Sequence, residues 1–218
     1  MYKPDRSSRN TFREFKEKET WHLAEKIYLK YKYKWAGPEI DVYIFPAAAG
    51  GLFSRKNGKS GVSFKNMLFL FLTPDIDEKE LEALFVHEYH HSCRINRQKK
   101  NLEEYTLLDS IILEGLAEHS VEINVGKEYR GKWCTQYSKE EIVHFWRKIL
   151  KDQLKVKKED RLHQKLLYGE KPYPQLLGYA AGYEIIKEFR EKKSFSTKLS
   201  FIAPSEYFVK QTIFKLDI

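Results

Sequence analysis

Six consecutive apolar residues, Met67 to Leu72 (MLFLFL), constrain the fold of this chain more than any other feature of its sequence. A short Phe- and Leu-rich run with no polar residue at alternate positions leaves neither face of a strand for water, so it predicts a central strand of a sheet. It also falls far short of the roughly 20 residues a helix needs to cross a bilayer. The flanking patterns supply the rest of the sheet. IDVYIFPA (40 to 47) reads as a strand, and VSFKNMLFLFLTP (62 to 74) as one or two more. Between them, AAAGGLFSRKNGKSG (47 to 61) is a Gly-rich turn region whose composition would permit movement as a lid.

Helical spacing dominates elsewhere. From Thr11 to about Lys34, Phe12, Phe15, Leu23 and Ile27 recur among Glu and Lys, and Trp35-Ala-Gly-Pro38 ends the pattern. Asp77 followed by Glu80 resembles a capping box and opens a helix through Leu81, Leu84 and Phe85 to about Arg94. A second helix is expected from about Leu102 to Val125, closed by Gly126. Ser138 and Glu141 cap a third, with Ile142, Phe145, Trp146, Ile149 and Leu150 as its apolar stripe. The small residues of PYPQLLGYAAGYEIIKEF (172 to 189) permit close packing against another helix, while the tail from Phe195 to Ile218 favours neither strand nor helix. Helix, then strands, then helices is the order of an α+β fold with a small mixed sheet. One domain over 1–218 is expected, with a sheet region at 35–75, the helices of the candidate site at 76–126 and a helical part at 138–190.

Composition narrows the function classes. Hydrophobic residues at 42% and aromatics at 15% are enough for a packed core despite 32% charge, which excludes a disordered chain. The net charge of +8 is dispersed and mixed in sign, as in KVKKEDR (155 to 161), so it reads as a Lys-rich solvated surface and not as a nucleic-acid-binding tail. The first residues, MYKPDRSSRNTFREFKEKE, contain no apolar stretch of the kind a secretion signal needs, and Cys93 and Cys134 have no paired spacing. A cytoplasmic protein with both thiols free and no insertion into membranes is expected.

The chemistry concentrates in HEYHH. His87 and His91 are four residues apart, so on a helix both imidazoles project from one face, one turn apart, as two ligands of a tetrahedral zinc would. Glu88 projects beside such an ion, where it can act as general base toward water. A catalytic zinc takes three protein ligands and keeps a fourth position for water. LEGLAEHS (113 to 120) offers Glu114 and Glu118 on one helix face, and periodicity alone does not choose between them. The small neighbours Gly115 and Ala117 would allow a close approach and favour Glu114, leaving Glu118 to accept a proton from a ligand histidine. His90 is off the ligand face and, like His119, reads as structural. Asp109 stands about one turn before Glu114, as a solvated residue or as a partner orienting a ligand His. Cys93 reads as a small buried hydrophobe. Tyr179 and Tyr183 of LGYAAGY are candidates to stabilise an oxyanion, with Tyr179 preferred.

HEYHH, the downstream LLDSIILEGLAEHS and the late LGYAAGYEII together resemble the predicted Zn-dependent protease family DUF2268, over roughly residues 40 to 190. That resemblance implies a gluzincin-type metallopeptidase with a zincin-like fold, one zinc per chain and a peptide substrate. It implies that the first Glu of the EG-x-A segment, Glu114, is the third ligand, and that GVSF (61 to 64) is an edge strand that pairs with an extended peptide. Some members are associated with heat-shock regulation. A second reading, from a different class, is a regulatory protein that keeps the metal but acts by binding a nucleic acid or another protein.

Overall fold

The computed structural model describes residues 6–47, 59–98 and 100–215. They divide into two compact units, 1–93 and 94–218, and the division falls inside one long helix. The elements are α1 (Arg6–Glu17), α2 (Thr20–Trp35), β1 (Asp41–Pro46), β2 (Lys59–Ser63), β3 (Met67–Leu72), α3 (Glu78–Arg97), α4 (Leu107–Asn124), α5 (Lys139–Phe145), α6 (Arg161–Tyr168), α7 (Leu177–Lys192), α8 (Thr197–Ile202) and α9 (Ser205–Lys210). The architecture is α+β and mostly helical, with a small mixed sheet.

In the first unit the sheet order is β1-β3-β2, so MLFLFL is central as its composition requires. β1 runs parallel to β3 and β2 antiparallel to it. The two faces of β3 differ. Leu68, Leu70 and Leu72 are fully buried, while Phe69 and Phe71 on the other face are half-buried and stack with Tyr43 and Phe45 of β1. Among the described residues that second face carries an aromatic ladder.

The first expected helix is two helices. Glu19 adopts a left-handed conformation (φ 50°) that separates α1 from α2, and the apolar spacing of 11–34 runs through this break without marking it. α2 ends as expected before Gly37, with Ala36 left-handed. Trp35 stacks on Tyr89 at 5.9 Å, and Tyr28 meets Phe85 and Tyr89 edge-on or tilted, which fastens α2 against the middle turns of α3.

The core of the second unit is built on α4 and α7. Leu107, Ile111, Leu116, Trp146, Ile185 and Phe189 belong to one fully buried cluster. Side chains of this size each contribute roughly 1.5–3 kcal/mol when buried. The two helices cross backbone to backbone. A Cβ on Gly115 would lie 2.2 Å from the Gly182 carbonyl oxygen, and one on Gly182 would lie 2.0 Å from that of Ile111. The small size of Gly115 therefore serves the packing of α4 on α7.

α4 begins later than its apolar pattern. A short 3-10 turn at Leu102–Glu104 precedes Thr106, whose side chain caps the helix while Asp109 reaches back to the Thr106 N–H at 2.8 Å. Asp109 also accepts from Lys100 at 2.5 Å and Ser205 at 2.8 Å. It is a capping residue that ties three segments together. Ser138 caps α5 as expected, and α5 runs on into a π-turn, Trp146–Leu150. The undecided tail forms α8 and α9. Arg94, buried in this unit, donates to the Ser200 carbonyl at 2.6 Å, and burial pushes its pKa down to about 10. Most of the Gly-rich segment whose composition would permit a lid, 48–58, lies outside the described residues.

Candidate metal centre

α3 starts where its cap predicts, with the Glu80 N–H donating to Asp77 Oδ1 at 2.8 Å. β2 then runs beside it. Lys59, Gly61 and Ser63 alternate along the strand and so share a face. Lys59 pairs with the Glu80 side chain and donates to its carbonyl at 2.9 Å. Ser63 donates its hydroxyl to Glu88 Oε2, and just past the strand the Phe64 carbonyl accepts from Ser92 at 2.9 Å. The spacing is commensurate. Glu80 to Ser92 spans about 18 Å of helix at 1.5 Å per residue, and Lys59 to Phe64 about 17 Å of strand.

Gly61 is required by this arrangement. A Cβ there would stand 2.4 Å from Glu88 Cγ and 2.7 Å from its Oε1. The Glu88 side chain is 8% exposed and lies in the space that any larger residue at 61 would fill. The carboxylate is thus held from outside its own helix, by one hydroxyl and one missing methyl.

On the same helix the rings of His87 and His91 lie 4.6 Å apart between centroids, inclined at 79°. Among the described residues, the ligand atoms of His87, His91 and Glu114 all lie within 4.8 Å of one another. His91 is buried, and His87 and Glu114 are half-buried. Donor atoms on a tetrahedral zinc with bonds of about 2.0–2.1 Å would sit roughly 3.4 Å apart, so the trio needs to close by no more than an ångström or so to fit one. Two neutral imidazoles and one carboxylate are also a donor set that zinc accepts.

The other residues singled out in the sequence make contacts of their own. Glu118 accepts from the Gly131 N–H at 2.7 Å. His90 is fully buried with its ring edge-on to Trp35. Cys93 is buried, as expected of a small hydrophobe. Tyr179 packs against Trp133 and Tyr168 within the second unit's core. The Tyr183 hydroxyl donates to Glu122 at 2.7 Å and also meets Arg130. Ser63 and Gly61 were not flagged by motif or periodicity. The signal that could have found them is only the alternation of small residues along KSGVS.

No helix among the described residues is long and apolar enough to cross a membrane. The chain is 34% identical over 211 residues to "Uncharacterized protein YjaZ" of Bacillus subtilis (strain 168), a match covering 96% of this chain and 81% of that protein. No solved structure matches it. The family match takes in α2 and both tail helices, α8 and α9, beyond the 40–190 that the motifs alone reach, and by that match, over residues 20–210, the chain belongs to the family described as Predicted Zn-dependent protease (DUF2268).

Proposed function

We propose that this protein is a gluzincin-type zinc metallopeptidase with a zincin-like fold, in which His87, His91 and Glu114 hold the metal and Glu88 is the general base. The observation that carries the reading is the convergence of two imidazoles and a carboxylate to within 4.8 Å, with the buried carboxylate of Glu88 next in sequence to one of the rings. A zinc ion held by these residues would supply Lewis-acid polarisation of a carbonyl and make an attacking water more acidic. Glu88 accepts the proton of the attacking water and returns it to the leaving amine. Ser63 and Gly61 keep its carboxylate in one place while it does so. With the Tyr183 hydroxyl engaged by Glu122 and Arg130, Tyr179 is the better candidate to donate to the developing oxyanion. A peptide substrate suits the sheet. Among the described residues β2 pairs with β3 alone, so its outer edge offers backbone groups to an extended chain.

The test combines metal analysis with a peptide-library assay that a chelator should silence. Wild type is expected to carry about one zinc per chain. Glu88→Gln should retain the metal and lose hydrolysis by about a hundred- to ten-thousand-fold, the usual range for a general base. Glu114→Ala should lose the metal, and Glu118→Ala should keep it. Metal loss from Glu118→Ala with retention in Glu114→Ala would reverse the ligand assignment, and full activity in Glu88→Gln would remove that residue from the mechanism.

A further inference from the structure

Beyond the metal centre, the second unit holds a cavity of about 460 Å³ lined by α4, α7 and the turns after Gly126. That volume is within the range of small-molecule sites. In its lining two guanidinium groups share one carboxylate: Arg130 Nη1 is 3.1 Å from Glu122 Oε2, and Arg190 Nη1 is 3.6 Å from Glu122 Oε1. His119 adds no charge. Its Nε2 donates to the Tyr183 carbonyl at 2.9 Å, which leaves Nδ1 to accept from Arg190 at 2.6 Å and fixes the neutral tautomer. Cys134 adds none either, because burial pushes its thiol pKa well up. Lys127, Lys187 and Glu191 also line it, so the lining carries four fixed cations and two carboxylates. Of the neighbouring carboxylates, Glu118 accepts from the Gly131 N–H and Glu184 lies 3.3 Å from Lys187, and neither lines the cavity.

Each guanidinium has five N–H donors. Only Nη1 of Arg130 and of Arg190 carries a hydrogen bond among the described residues, and the two side chains keep 22% and 28% of their surface exposed. Two partly buried cations on one carboxylate leave a positive charge that solvent screens incompletely, with unused forked donors beside it. We propose that this cavity binds a small oxyanion, a phosphate or carboxylate group, held by Arg130 and Arg190 with Lys127 and Lys187 closing over it.

The whole protein should be titrated by calorimetry and thermal unfolding with inorganic phosphate and, separately, with malonate, at ionic strength held constant with sodium chloride. At least one probe is expected to give a saturable heat at one site per chain and a rise in Tm of several degrees. Whichever saturates names the group recognised. The double variant Lys127→Gln/Lys187→Gln, at two exposed positions, should leave the unliganded Tm unchanged and weaken that binding at least about fivefold. Arg130→Lys, which keeps the charge but loses the fork, should weaken it further. Because none of the three is a candidate metal ligand, their effect separates this site from anion capture at a metal. No saturation by either probe beyond the chloride control, or wild-type affinity in the double variant, overturns the proposal.

Discussion

Gly61 and Ser63 separate the position of the Glu88 carboxylate from the helix that carries it. Substituting Ala at 61 puts a methyl group 2.4 Å from Glu88 Cγ, a mid-chain atom that cannot move without taking the carboxylate off Ser63. Gly61→Ala is therefore expected to lower kcat at least tenfold while zinc content stays at the wild-type level. Ser63→Ala removes one hydrogen bond to a charged group, of a kind that contributes about 1.5–3 kcal/mol, and a loss in kcat of roughly ten- to a hundredfold follows if that bond acts through positioning. Ser63→Thr keeps the hydroxyl and should recover most of the loss. Steady-state kinetics beside metal analysis checks all three, and undiminished kcat in Gly61→Ala would mean that the carboxylate does not depend on the strand.

Between elements, the tightest requirement is the crossing of α4 and α7. Ala at 182 would place Cβ 2.0 Å from the Ile111 carbonyl oxygen, and backbone cannot step aside as a side-chain end can. Overpacking of this kind typically costs about 1–3 kcal/mol, and Gly182→Ala should lie at or above the top of that range in urea unfolding, with an unchanged m-value. A cost under about 0.5 kcal/mol would show that the helices part easily. What could be read in advance at this scale divides by distance along the chain. The cap at Ser138, the central strand and the pairing of His87 with His91 are each written within a few residues, so period and spacing reveal them. LGYAAGY signalled a close helix contact, yet only the folded chain shows Gly115 as its partner. The left-handed Glu19 has no local signature, because nothing about a Glu in a polar stretch marks a break. The Thr106 cap was legible as T-x-x-D, but the apolar Leu102 upstream made the helix look longer. Contacts such as Ser63 with Glu88, and the cavity that joins His119 to Tyr183 and Arg130, unite segments that no sequence period connects.

Over the whole molecule, acid should act in two stages, because the buried groups titrate in separate windows. Burial lowers the pKa of His119 from 6.5 to about 4, with the Arg190 charge adding to the effect and the Tyr183 carbonyl opposing it. The unfolded chain therefore binds this proton first, so the stability it represents is complete above pH 6.5 and drains away as pH falls toward 4. His163 is lowered in the same direction by its burial and adds to the same window. Glu82 titrates later. Burial works to raise its pKa, but hydrogen bonds from Lys30, Lys79 and Tyr31 outweigh that and bring it from 4.5 down to about 2, so its contribution is intact above pH 4.5 and lost below. From pH 7 to 4.5, His119 should account for a loss of about 2–3 kcal/mol, at 1.36 kcal/mol per pKa unit. His119→Gln tests this cleanly, since an amide can still donate to the Tyr183 carbonyl and accept from Arg190 but takes up no proton. Its stability relative to wild type, from urea unfolding at each pH, should improve by that amount between pH 7 and 4.5, rise a little further, and level off below about pH 4 as Glu82 titrates in both proteins. Taking the difference cancels any metal loss the two share, and parallel wild-type and variant curves from pH 7 to 4.5 would refute the assignment of the first stage to His119.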